Sequence, residues 1–316
     1  MKKIADVDVY DEVSGNFAVK FKKPVQKYAK GYKFELRVGD SSGEMMLKFW
    51  GPDDEDAVKK LYESISADDV IQVRGQVTEY HDVKEIAVNE LSGIRVLSPV
   101  EYVKSEFVRE SEREIEGMYE ELSRHVNSVQ NPHLAKVLAA FFSDKDFVKA
   151  FKHSPAALYK HHAWIGGLLE HTLAVIKVCE SALAIYPDVD RDLTITGAIL
   201  HDIGKTREFS VTTSIKPTLE SRLVGHVVMG VEMLHQKTAD LDIPEEVKVK
   251  LKHIVSSHHG QLEWGSPKTP AFPEALLVHH ADYLDASIAY IIARKKETKT
   301  DDEFAYAKDF GSIYLK

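Results

Sequence analysis

Over residues 14–97 apolar and polar positions alternate in short runs with a period of two, the pattern of half-buried strands. The run 15–27 alternates as far as Pro24, which lacks an N–H and so predicts a bulge or an edge position. Runs 32–38 and 44–50 follow, separated by Gly39-Asp40-Ser41-Ser42-Gly43, turn-forming chemistry that predicts a hairpin. The period then changes. Pro52 and the acids 53–56 open a helix that runs to about residue 66, with Val58, Leu61, Tyr62 and Ile65 on one face. Residues 69–78 and 84–90 are the last two main strands, and three strands, a helix and two strands is the order of a five-stranded OB-fold β-barrel.

Beyond residue 98 the spacing is helical. A charged stretch, 106–129, carries Phe107, Ile115, Met118, Tyr119 and Leu122 at helical intervals, and Asn131-Pro132 breaks it. Helices are predicted over 133–142 and 144–151, then over 165–184 and 190–203, the latter capped by Asp188 or Asp190 and stopped by Gly204. Further helices are expected over 221–236, 244–257 and 273–285, with a separate tail helix from about residue 285. The resulting fold class is multidomain α and β. It has an OB-fold domain at 1–100, a helical connector at 101–154 and an all-α bundle with a C-terminal tail at 155–316. The tail, 295–316, is polar with scattered rings, and its order is left undecided.

Composition narrows the class. Of the 316 residues 44% are hydrophobic and 29% charged, ordinary for a globular protein, and no apolar run approaches the ~20 residues that span a bilayer. The first residues lack the apolar core of a signal peptide, and one cysteine, Cys179, forms no intramolecular disulfide; the cytoplasm is the expected compartment, with no membrane partner. A net charge of -9 argues against indiscriminate attraction to nucleic acid. Residues 20–37 nevertheless carry a local net charge of +6, from Lys20, Lys22, Lys23, Lys27, Lys30, Lys33 and Arg37 against Glu35 alone. Phe21, Tyr28, Tyr32 and Phe34 are interleaved with these bases, and cations that track a backbone plus rings that stack on bases are what single-strand binding requires. For each ring singly, filling the barrel is the favoured reading; for the patch as a whole, nucleic-acid contact is, with Lys22, Lys23, Lys27, Tyr28, Tyr32 and Phe34 as the contacts.

The candidate chemistry lies at His201-Asp202-Ile203-Gly204-Lys205. An adjacent His-Asp offers a neutral imidazole and a two-oxygen carboxylate at one point of the backbone, so Asp202 can bridge two ions while His201 binds one. The pair has company in His171, His226, His258-His259 and Asp282, from successive helical segments that a bundle would bring to one point. With 15 histidines in the chain, not every one is a ligand. His125 and His133 lie outside the cluster and are expected to be exposed, His253 reads as a helix-face residue, and His161 and His162 read as structural.

These strings resemble the HD-domain phosphohydrolases, named for the His-Asp pair. They are closer still to the OB-fold-plus-HD 3′–5′ exoribonucleases of the YhaM type. The matching stretches are His161-His162-Ala163-Trp164-Ile165-Gly166-Gly167-Leu168-Leu169-Glu170-His171-Thr172, the 201–205 pentapeptide, Arg222-Leu223-Val224-Gly225-His226, and Ser257-His258-His259-Gly260 leading to Trp264-Gly265-Ser266-Pro267-Lys268. Glu274-Ala275 with Asp282 and Asp285 completes them. The resemblance implies one metal held by His171, His201, Asp202 and Asp282, and a second sharing Asp202 and adding His226, His258 and His259. Mixed imidazole and carboxylate ligands suit Mn, Fe, Co or Zn, and the family implies Mn²⁺. The implied reaction is hydrolysis of single-stranded RNA from its 3′ end by a two-metal-activated hydroxide, with single-stranded DNA and oligomeric state left open. Asp202 and Lys205 are the catalytic candidates. Lys205 and Arg222 are candidate phosphate contacts, and Lys205 reads equally as a lysine neutralising a helix C-terminus. Tyr283 departs from the family pattern, which often has Asn there. Two alternatives are a phosphohydrolase of nucleotides or cyclic dinucleotides and a nucleic-acid-binding module with a non-catalytic HD half.

Overall fold

The computed structural model describes residues 2–81, 83–158, 162–298, 302–307 and 310–316. Its contacts divide the chain into two compact units, Met1–Arg109 with Val211–Ile215, and Glu110–Ser210 with Lys216–Lys316.

The first unit is built on β1 (Glu12–Tyr28), β2 (Gly31–Asp40), β3 (Gly43–Trp50), α1 (Glu55–Ser64), β4 (Val70–Tyr80), β5 (Val83–Val88) and β6 (Ile94–Leu97). Among the described residues these strands pair in the order β1-β2-β3-β5-β4-β6, and β4 also pairs with β1, so the ladder returns to its start. Strand β3 runs parallel to β5, and the other pairings are antiparallel. This is the expected OB-fold with one strand added: β6, a four-residue run too short to read as a main strand, extends the β4 edge. Pro24 falls in a register shift between Lys23 and Gln26, as its missing N–H requires. At the β2–β3 turn the Asp40 carboxylate accepts the N–H groups of Ser42 and Gly43, closing the hairpin with its own side chain. Asp54 caps α1 by accepting the Ala57 N–H, and Val58 from that helix and Ile65 just past its end pack into the barrel core with Phe34, Leu36, Val38, Leu47 and Phe49.

The second unit begins with α2 (Ile115–Asn127), α3 (Pro132–Phe142) and α4 (Lys145–His153). The separate connector expected over 101–154 divides instead. Phe107 packs with Ala18, Val70 and Leu97 of the first unit, while Met118, Leu122, Val137, Phe141 and Phe151 share one core with the bundle. The helix expected from residue 106 starts only at Ile115, because Glu114 accepts the N–H groups of Glu116 and Gly117 and fixes the start there. The bundle continues with α5 (Gly167–Leu183), α6 (Arg191–Leu200), α7 (Lys205–Glu208), the hairpin β7 (Phe209–Val211) and β8 (Ile215–Pro217), α8 (Leu219–Leu223), α9 (His226–Thr238), α10 (Glu245–Ser257) and α11 (Pro273–Glu297). Asp190 is the cap of α6, as expected. Two departures stand out. The β7–β8 hairpin interrupts a stretch expected to be helical throughout, and α11 is a single 25-residue helix where two were expected. In the tail, β9 (Phe304–Ala307) pairs with β10 (Gly311–Tyr314). No helix among the described residues is long and apolar enough to cross a membrane.

Candidate metal centre

The ligand candidates come from helix ends and two helix interiors. His171 lies on α5, His201 caps α6 and Asp202 follows it, His226 opens α9, His258 caps α10 with His259 next, and Asp282 lies on α11. Two backbone approaches make this convergence possible. A side chain at Gly204 would place its Cβ 2.0 Å from the His226 carbonyl oxygen, and one at Gly167 would stand 2.0 Å from that of His162. Only glycine allows the His-Asp turn to sit against the start of α9.

Around Asp202 the imidazoles form two groups. Oδ2 faces His201 Nε2 at 3.3 Å and His171 Nε2 at 3.6 Å, with Asp282 Oδ1 3.1 Å from the latter. Oδ1 faces His258 Nε2 at 3.4 Å and His226 Nε2 at 3.7 Å, and His259 Nε2 lies 3.3 Å from that of His226. Each imidazole is held from behind through Nδ1. His201, His258 and His259 donate to the carbonyls of Ala198 (2.7 Å), Val255 (2.8 Å) and Trp264 (2.9 Å). His171 Nδ1 lies 2.7 Å from Asp285 and His226 Nδ1 3.1 Å from Glu208. A carbonyl can only accept, so Nδ1 carries the proton and Nε2 keeps a lone pair aimed into the cluster, the tautomer a metal needs.

The cluster is also electrostatically incomplete. Asp202 is 1% exposed, yet neither of its oxygens has a hydrogen bond among the described residues, nor does His258 Nε2. Buried polar atoms are ordinarily satisfied. Lys205 Nζ lies 2.6 Å from Asp202 Oδ2 as an ion pair rather than an aligned hydrogen bond. Burial alone would raise the Asp202 carboxyl, but the positive charge beside it, the Lys205 ammonium foremost, holds the group well below the usual carboxylate range. Burial, with His258 and His226 adjacent, pushes His259 down to about 3, and burial also lowers His258. His258 and His259 are therefore neutral at physiological pH. His171 is the exception: although burial opposes it, Asp282 and Asp285 raise it to about 9, so the two acids favour a cation at this position. Buried carboxylate oxygens that lack hydrogen bonds, beside aimed lone pairs, fit a divalent transition metal.

His162, His171 and Asp285 also lie close together, but as a hydrogen-bonded layer behind the ligands. Asp285 Oδ2 is 2.7 Å from His171 Nδ1 and 3.0 Å from His162 Nε2, hydrogen-bond distances that make this carboxylate the acceptor for both rings. His162, expected to be structural, belongs to this layer, while His161 lies outside the described residues. The supporting acids Glu208 and Asp285, the Trp264 carbonyl and His279 were missed as functional residues by sequence reasoning. His279 is buried and donates from Nδ1 to the His258 carbonyl at 2.7 Å. His279 stands three residues before Asp282 on α11, one helical turn away, and that spacing was its available signal. His125 and His133 are half-buried rather than exposed, and His253 accepts the Ala271 N–H from its helix face.

A cavity of about 470 Å³ opens on this centre, lined by Lys205, His258, His259 and Asp282 together with Trp264 and Tyr283. Lys205 is buried at the start of α7, so its ammonium faces ligand acids and the cavity rather than neutralising a helix C-terminus. Arg222 is exposed on α8 with no side-chain hydrogen bond or ion pair among the described residues; the structure does not bring it to the cluster.

On the first unit the basic patch is less free than its sequence suggests. Phe34 is 1% exposed and stacks on Phe49 inside the barrel, so this ring is core and not a base contact. Lys22 Nζ donates to the Tyr62 carbonyl at 2.8 Å and the Ile65 carbonyl at 2.5 Å, capping the end of α1. Lys23 pairs with Glu35 at 2.7 Å while remaining half exposed. Tyr28 donates its hydroxyl to the Gly51 carbonyl and packs edge-on against Trp50, and Tyr32 is half-buried. Lys27 is exposed, and the ring most open to solvent in this patch is Phe21, at 55%.

Fold and centre together define a two-unit protein that joins an OB-fold to an HD-type helical unit. An HD-domain family model matches residues 168–287, and one for an OB-fold nucleic acid binding domain matches residues 19–94. The 3′–5′ exoribonuclease YhaM of Shouchella clausii is 34% identical over 254 residues, covering 80% of this chain and 76% of that protein. Those of Listeria welshimeri and Oceanobacillus iheyensis are each 33% identical, over 88% of this chain and 87% and 86% of theirs. The chain belongs to the YhaM family of 3′–5′ exoribonucleases.

Proposed function

We propose that the chain is a metal-dependent exoribonuclease that removes nucleotides from the 3′ end of single-stranded RNA at a centre of two divalent ions bridged by Asp202. The observation that carries this is the placement of the two buried Asp202 oxygens, each without a hydrogen bond among the described residues and each facing its own pair of Nε2 atoms. His171, His201 and Asp282 would complete one position and His226, His258 and His259 the other, a donor set suited to Mn, Fe, Co or Zn. When bound, such ions supply a water activated near neutral pH and neutralise charge on the phosphoryl group during in-line displacement.

This chain's own groups do the rest. Asp285 and Glu208 hold His171 and His226 in the ligating tautomer. Lys205 presents its ammonium to the cavity, where a non-bridging phosphate oxygen gains a charge-assisted hydrogen bond. The buried side of the cluster, with His171 and His201 closed off from solvent, keeps bulk water from competing with the ligands. The OB-fold unit would supply grip on the strand, through Lys23, Lys27, Tyr28, Tyr32 and Phe21 rather than Phe34.

Incubation with 5′-labelled single-stranded RNA and Mn²⁺ is expected to give a ladder that shortens from the 3′ end, and a parallel single-stranded DNA tests the wider substrate class. RNA left intact across Mn²⁺, Co²⁺, Fe²⁺ and Zn²⁺ would overturn the proposal. In Asp202→Ala hydrolysis is expected to vanish while RNA binding persists.

A further inference from the structure

Beside the ligands, the cavity has a feature that phosphodiester chemistry alone does not require. The rings of Trp264 and Tyr283 lie parallel, 7° apart with centroids 5.2 Å apart, and each residue is 45% exposed. Rings that only filled the core would be covered; these border open space. Both are tethered to the metal centre through the backbone. Trp264 offers its carbonyl to His259 Nδ1 at 2.9 Å, and Tyr283 directly follows Asp282 on α11. The distance from ring pair to ligand cluster is therefore set by the same elements that set the ligands.

The next turn of α11 leaves room beside the pair. Ala286 and Ser287, three and four residues after Tyr283, are small and line the same cavity, and Tyr290, seven residues after Tyr283, bounds it further along. The cavity is thus lined by the aromatic pair, by two small residues and by the candidate ligands His258, His259 and Asp282. A cavity of about 470 Å³ is within the range of small-ligand sites.

We propose that Trp264 and Tyr283 form a nucleobase platform, on which the base of the 3′-terminal nucleotide stacks while its 5′ phosphate lies at the ligand cluster. The proposal rests on the exoribonuclease reading above and deepens it: the occupant of the cavity is a nucleotide recognised by its base as well as its phosphate. Stacking tolerates every base, since each has a π-face, so the platform positions the terminal nucleotide without selecting sequence.

Two measurements test it. The first compares kcat/KM with Mn²⁺ on an RNA whose 3′-terminal nucleotide carries its base and on the same RNA with that nucleotide abasic. The wild-type chain is expected to lose about 5- to 150-fold on the abasic substrate, the fold-change equivalent of ~1–3 kcal/mol per stacked base. Trp264→Leu and Tyr283→Leu are each expected to lose activity on the intact RNA and to show a much smaller abasic penalty, with Tyr283→Phe restoring it. An absent penalty in the wild type, or an undiminished one in both leucine variants, overturns the platform. The second needs no hydrolysis. Quenching of tryptophan emission in the Mn²⁺-loaded chain is followed as adenosine 5′-monophosphate or ribose 5-phosphate is added. The nucleotide is expected to bind more tightly than the sugar phosphate, and Tyr283→Leu, which keeps the Trp264 reporter, is expected to reduce the difference; equal binding of the two in the wild type contradicts the platform. RNA left intact alongside base-dependent mononucleotide binding would sink the exonuclease reading and leave the platform standing.

Discussion

Replacing Asp285 by Asn probes the support of one half of the centre without touching a ligand. Its Oδ2 receives His171 Nδ1 at 2.7 Å and His162 Nε2 at 3.0 Å. Burial would raise this carboxyl, yet the two imidazoles hold it below the usual carboxylate range, so the wild-type group is a charged acceptor. Asparagine keeps the shape and one accepting oxygen but loses the charge. A hydrogen bond to a charged group contributes ~1.5–3 kcal/mol, and loss of a carboxylate behind a ligating histidine typically costs about 10–100-fold in metal affinity, which is ~1.4–2.8 kcal/mol. Because Asp285 backs His171 and Glu208 backs His226, the loss is expected to fall on different ions in Asp285→Asn and Glu208→Gln. Calorimetric Mn²⁺ titration of the chelator-stripped chain reads this directly: each variant weakens one binding step about 10–100-fold and changes the other much less. Equal weakening of both steps in both variants, or no weakening in either, refutes the reasoning.

Gly204→Ala would put a Cβ 2.0 Å from the His226 carbonyl oxygen, so the His-Asp turn and α9 must separate; RNA hydrolysis is expected to fall at least tenfold, read by the labelled-RNA assay. Glu170 is held down to about 2: burial would raise it, but the His162, Ser111 and Trp164 donors outweigh that. A depressed carboxyl stabilises the fold above its unfolded pKa near 4.5 and loses that contribution as pH falls towards 2, so about 3 kcal/mol of stability is expected to disappear over this window. Glu170→Gln is expected to flatten that part of the acid-unfolding curve of the metal-free chain, measured by circular dichroism. Lys22→Ala is expected to lower the first unit's melting temperature, because its ammonium caps α1, whereas Lys27→Ala is expected to leave melting unchanged and reduce the salt slope of RNA binding by about 0.7.

The barrel was legible because its strands keep a period of two and its turns carry the side chains that close them, Asp40 above all. Phe34 shares parity with Leu36 and Val38, which are buried beside it; that alternation marks it as core despite its basic neighbours. The continuity of α11 was hidden because Asp282 and Asp285, polar residues inside a helix, resemble an ending when the acids' partners are unseen. The candidate ligands were legible as a group because His201-Asp202, His226 and His258-His259 stand at the ends of helical segments that a bundle can bring together. What holds them was not, since Glu208, Asp285, His279 and the Trp264 carbonyl act across 5 to 114 residues of sequence.

A centre in which two ions would share the Asp202 carboxylate is tested most directly by counting the ions. Native mass spectrometry of the chain after loading with Mn²⁺ and desalting counts them. Two ions per wild-type chain, with loss of at least one in Asp202→Ala, is the expected result. A single ion in the wild type, or two retained without Asp202, would contradict the bridge.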